Sequence, residues 1–174
     1  MEMNINRQIV SKALLPKALE TGEEGEAVHM ILNSHLNPVK PGSDFILPTF
    51  GLSQAILNAL YSARRTNRLI QGLEEADKKL EAERAGIVQA DNKTGASRNE
   101  RISRLAVIAN DGSERYYREV KKLVKKNFPR MLALYIDATS YELGERLFGP
   151  GKRALFLLVN HKDAVINLLK SLII

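Results

Sequence analysis

The 174-residue sequence has no cysteine, no tryptophan and only three histidines. Without thiols there is no disulfide scaffold, no zinc ribbon and no thiol nucleophile. The histidines are scattered, and His29 and His35 stand six apart, off the i,i+4 face that two ligands on one helix would share. Aromatic residues make up 6% of the chain, which disfavours a stacked platform for single-stranded nucleic acid. No apolar run approaches the roughly 20 residues that cross a bilayer. The first residues, with Glu2 and Asn4, lack the basic-then-apolar plan of a signal peptide. There is no Walker pattern, no G-x-G-x-x-G and no spacing that suits a Ser/His/Asp arrangement. The expectation is a soluble, cytoplasmic, non-enzymatic protein with no catalytic residue, no metal, no cofactor and no membrane partner.

What is present is apolar content and positive charge. Apolar residues account for 44% of the chain, enough for a core, and the length suits one domain with an appendage. The net charge of +6 is unevenly placed. Residues 1–55 hold four basic and six acidic side chains, whereas residues 56–174 hold 22 and 14, so the latter carry +8. Polyanion attraction, with nucleic acid as the candidate, therefore belongs to the C-terminal two-thirds.

Residues 1–51 are expected to form an acidic, partly helical appendage. Ile9, Val10, Ala13 and Leu14 recur at helical spacing, a second apolar stretch covers 27–36, and Glu20 to Glu26 read as an acidic turn. Pro38, Pro41, Gly42 and Pro48 then punctuate an extended segment taken as the domain boundary. From residue 52 helical and apolar runs alternate. Helices are expected over 52–65, 73–84, 113–127, 139–148 and from 160 or 161 onward. Short strands are expected at 68–70, 105–109, 131–136 and 154–159. A polar stretch at 86–103 predicts a mobile loop. Thr139 followed by Glu142 has capping-box spacing, and Asp111-Gly112-Ser113 opens a helix after a strand, with capping favoured over anion binding. The alternation predicts an α/β class: a three-layer α/β/α sandwich with a small mixed sheet over 52–174.

Basic groups cluster at loop ends: Arg64, Arg65 and Arg68 before Gly72, Lys78 and Lys79 on the next helix, and Lys152 with Arg153. Gly149-Pro150-Gly151 follows a helix and precedes a strand, the reverse of a dinucleotide loop. The order of these elements resembles the kink-turn-binding ribosomal proteins of the L-seven-Ae type and their small bacterial relatives. Leu60-Tyr61-Ser62-Ala63-Arg64-Arg65-Thr66-Asn67-Arg68-Leu69-Ile70-Gln71-Gly72 looks like that family's first helix, basic turn and strand. Gly72-Leu73-Glu74-Glu75-Ala76-Asp77-Lys78 is similar to its RNA-facing helix start. Leu105-Ala106-Val107-Ile108-Ala109-Asn110-Asp111 and Tyr141-Glu142-Leu143-Gly144 with Gly149 resemble two further motifs, and Arg153-Ala154 opens the last strand as the family pattern does. The resemblance covers about residues 52–174.

The resemblance implies that Gly72, Glu75 and Lys78 contact bent RNA, with Lys152 and Arg153 in a second contacting loop and Arg64, Arg65 and Arg68 adding charge. Glu74 stands where the family carries asparagine; it replaces an amide that both donates and accepts with a charge that repels phosphate. The implied partner is structured RNA in a ribosomal or other ribonucleoprotein setting. Two alternatives follow: a protein-interaction module that keeps the fold without specific RNA binding, and a substrate-recognition domain for an RNA-modifying enzyme.

Overall fold

Each of the three apolar runs at 105–109, 131–136 and 154–159 supplies a central strand of one sheet. The fold is taken from a computed structural model, which describes residues 14–94 and 101–174. In chain order its elements are α1 (Lys17–Glu20), α2 (Glu23–Ser34), β1 (Leu36–Pro38), β2 (Ile46–Phe50), α3 (Gln54–Arg65), β3 (Leu69–Gln71) and α4 (Leu73–Thr94). They continue with β4 (Arg104–Ile108), α5 (Glu114–Lys126), β5 (Met131–Ile136), α6 (Ser140–Phe148), β6 (Phe156–Val159) and α7 (Lys162–Ser171). The strands lie in the order β1-β2-β5-β4-β6-β3. β2, β5 and β4 run parallel, while β6 is antiparallel to β4, and β1 and β3 are antiparallel to β2 and β6 at the two edges.

β6 is buried along its whole length, and β4 and β5 nearly so, because helices cover both faces. α4 and α5 form one layer, joined by Lys126 to Asp77 at 3.2 Å and by Arg84 donating to the Lys126 carbonyl at 3.1 Å. α2, α3, α6 and α7 form the other. The architecture is the expected α/β/α sandwich, and helices precede its main strands. Among the described residues no helix is long and apolar enough to cross a membrane.

Two expectations are corrected. The segment before residue 52 is not an appendage to the sheet, since β1 and β2 lie within it and Leu15, Leu19, Val28 and Leu32 join the common core. Pro38 and Pro48 read as breakers, yet Pro38 sits on an edge strand, where a missing N–H is tolerated, and β5 pairs only with Thr49 and Phe50, beyond Pro48. The expected helix over residues 9–14 falls, except for Leu14, outside the described residues. The mobile loop expected at 86–103 is helix as far as Thr94, with Gly86 inside α4 at a cost of about 1 kcal/mol relative to alanine. Ile102 is buried and its N–H donates to the Leu14 carbonyl at 2.8 Å, while residues 95–100 lie outside the described residues.

Candidate nucleic-acid interface

The candidate interface is the edge of the sheet at which β3 ends and β6 begins. Gly72 joins β3 to α4 with φ +94°, a left-handed conformation that costs glycine nothing. Its N–H donates to the Phe156 carbonyl at 3.0 Å, which fixes the start of α4 beside the segment leading from the 149–153 loop into β6. Gly144 of α6 is the floor of that loop: a Cβ there would meet the Lys152 carbonyl and lie 2.7 Å from the Ala154 nitrogen. The Ala154 N–H in turn donates to the Ser140 carbonyl at 2.8 Å. The two motifs are thus brought together across more than 70 residues by backbone contacts.

A polar network supports the same edge from inside. Asp111 accepts from the Ser140 N–H at 2.9 Å and from its hydroxyl at 2.8 Å, bracing the first turn of α6. Thr139 and Glu142 complete the reciprocal capping box expected from their spacing. The Ser113 hydroxyl oxygen, one turn before Tyr116, caps α5 by accepting its N–H, so this turn is a cap, with Ser113 rather than Asp111 as the capping side chain. Tyr116 donates to the Leu155 carbonyl at 3.0 Å, and Tyr117 donates to the Ala109 carbonyl at 2.8 Å while accepting from the Gly112 N–H. Burial pushes the Tyr117 phenol up to about 12 and raises Tyr116 and Tyr135 as well, so all three act as neutral hydroxyls.

Of the eight expected site residues, Gly72, Glu75, Lys78, Lys152 and Arg153 flank this edge, and the others do not all join them. Lys78 is exposed and lies 3.9 Å from Glu74 and 3.7 Å from Glu75, so in the free protein its charge is shared with both carboxylates. Arg153 is half exposed and tethered: its Nε donates to the Ser140 hydroxyl oxygen at 2.8 Å, and its guanidinium lies 3.9 Å from the Asp111 carboxylate and 5.0 Å from the Tyr141 ring centroid. Lys152 is exposed at the tip of the loop. Arg64, at the end of α3, reaches the base of the loop, 5.3 Å from the Phe148 ring and 5.9 Å from that of Tyr61. Arg65 also faces Tyr61, at 6.0 Å. Arg68 lies elsewhere: its carbonyl accepts from the Asn160 N–H at 2.9 Å, at the far end of β6, with β3 interposed. That separation amounts to about 13 Å of extended chain from Arg68 to Gly72.

Compared with family models and with curated proteins, the chain matches none. Among solved structures it is similar to a protein of unknown function from Bacillus halodurans C, at 12% identity and a TM-score of 0.49, over 69% of this chain and 98% of that one.

Tyr61 and Tyr141 are each about half exposed and face an arginine of the candidate set; Tyr61 meets Arg64 and Arg65 at i,i+3 and i,i+4 on α3, a spacing legible in the sequence. Tyr141 and Arg153 are twelve positions apart, and only folding places them together. Acidic groups also reach this side of the molecule, where Asp137, Glu142 and Glu145 line a 440 Å³ groove with Arg146. The arrangement can present backbone N–H groups, two lysines and cation-backed aromatic surface to a phosphate-bearing partner. Among the described residues no group of three or more His, Cys, Asp or Glu side chains is placed to hold a metal ion. His29 bonds to Glu20 at 3.0 Å, and His35 stacks on Phe50 at 5.0 Å.

Proposed function

We propose that the protein binds structured RNA, of the kink-turn or a related bent class, along the edge formed by the start of α4 and the 149–153 loop, and that it does so without catalysing a reaction. The observation that carries this reading is the Gly72 to Phe156 hydrogen bond, which sets the start of α4 beside the segment leading from the glycine-containing 149–153 loop into β6. Helix N-termini and flexible cations at such a junction suit phosphate oxygens. The resemblance to the L-seven-Ae type supports the same residues. On this reading the setting is a cytoplasmic ribonucleoprotein or ribosome, and the 22-residue α4 offers further surface.

Replacing Lys78 and Lys152 together with alanine tests the placement. Affinity for a kink-turn RNA is expected to fall, and the slope of log affinity against log salt to shrink by about 2, one for each phosphate that the variant no longer neutralises. An unchanged affinity would show that the RNA does not lie along this edge. The second reading, a protein-interaction module, draws on the Glu74 and Glu75 carboxylates beside Lys78 and on the acidic groove at Asp137. Replacing Glu74 with asparagine separates the two, because an RNA site should tighten when that charge is removed.

A further inference from the structure

We propose that the groove between the 39–45 turn and α5 binds a nucleoside polyphosphate. The groove measures about 530 Å³, within the roughly 300–1,000 Å³ range of small-ligand pockets. Its helical wall carries Arg118, Lys121, Lys122 and Lys125, spaced i, i+3, i+4 and i+7 on one face of α5. From the opposite side Lys40 extends over the Tyr117 ring, 5.6 Å from its centroid. Against these five cations the groove holds two carboxylates, Asp44 and Glu114, and Lys122 is also paired with Glu119 at 3.3 Å. Pro41 supplies exposed apolar surface on the turn side, above the buried Val39 and Phe45. The cations of the helical wall, with Lys40 facing them, suit the phosphates of a nucleotide, and the exposed Pro41 on the turn offers a contact for its base.

The position of Asp44 identifies where the anion goes. Its carboxylate lies 3.0 Å from the Lys121 ammonium, and Lys121, followed by Lys125, holds it below the usual carboxylate range. The Asp44 side chain is 79% exposed whereas that of Lys121 is 23% exposed, so a solvated acid reaches into the groove to meet a largely covered cation. A carboxylate of the chain thus stands in the place of a ligand oxyanion. A multiply charged anion can displace it, since it meets Lys121 and Lys125 together, one helical turn apart, where the single charge of Asp44 contacts Lys121. A chain of two or three phosphates is long enough to span that turn.

This site is separate from the RNA edge and does not rest on it. The test is calorimetric titration of the full chain with ADP, with adenosine and citrate as controls. ADP is expected to bind, adenosine not to bind, and citrate to bind more weakly. Asp44→Asn removes the internal competitor and should tighten ADP binding, whereas Lys121→Ala with Lys125→Ala should weaken it about tenfold or more. Lys125→Glu alone serves if the double variant loses its fold, as judged by its thermal melt. The Lys78→Ala, Lys152→Ala protein should bind ADP like the wild type. Absence of ADP binding at millimolar concentration, citrate binding as tight as ADP, or an affinity unmoved by Asp44→Asn would each overturn the proposal.

Discussion

A methyl group at Gly144 would press on the Lys152 carbonyl and sit 2.7 Å from both the Arg153 carbonyl carbon and the Ala154 nitrogen, all of them backbone atoms. Backbone cannot step aside as the end of a flexible side chain can. Gly144→Ala is therefore expected to destabilise the protein by about 1–3 kcal/mol, read by chemical denaturation, and to displace the 149–153 loop. Tyr117 is a second sensitive position. Its hydroxyl satisfies the Gly112 N–H and the Ala109 carbonyl, both interior, so Tyr117→Phe leaves two buried polar groups unpaired at a cost of about 1–3 kcal/mol. The same hydroxyl sets an alkaline limit. Its folded value of about 12 lies above the unfolded value of 10.0, so the folded state holds its proton more tightly in that interval. The stabilisation is complete below pH 10 and is lost as pH rises toward 12, which denaturation midpoints measured across that window should show.

At the scale of elements, the placement of α4 depends on a cluster remote from either loop. Glu83 accepts from Arg104 at 3.0 and 3.2 Å and lies 3.4 Å from Arg130, and all three side chains are less than one-fifth exposed. These contacts join α4 to β4 and to the start of β5. Glu83→Gln weakens two largely covered charge pairs, and a loss of about 2–3 kcal/mol is expected in the same denaturation assay. Nothing in the sequence discloses this cluster, because its partners lie 21 and 47 positions away. The strands β4, β5 and β6 were legible because continuous apolar runs of that length suit strands covered on both faces. The α6 capping box was legible because it is local. β1 and β2 were not, since Pro38 and Pro48 are read as breaks until pairing shows which N–H groups the sheet needs. The last turns of α4 were hidden by Gly86 and a polar composition with no clear periodicity.

At the scale of the molecule, charge is organised differently from its distribution along the chain. The fold divides the cations behind the +8 of residues 56–174 among separate places. Lys78 lies on α4 and Lys152 in the 149–153 loop, Arg68 lies at the other end of β3 from Gly72, and Arg118, Lys121, Lys122 and Lys125 face a groove completed by the 39–45 turn. The candidate edge was legible in part, through Gly72 and the residues of the 149–153 loop, because glycine and cations at element ends leave a local signature. Their juxtaposition, and the contacts of Arg153 with Tyr141 and Ser140, arise from tertiary packing that spacing does not encode. The central claim is that this edge recognises bent RNA, and titrating the protein with a kink-turn RNA and a plain duplex of equal length at two salt concentrations tests it most directly. Tighter binding of the kink-turn RNA at both concentrations is the predicted result. No binding to either at moderate salt, or equal and equally steep salt dependence for both, would contradict it.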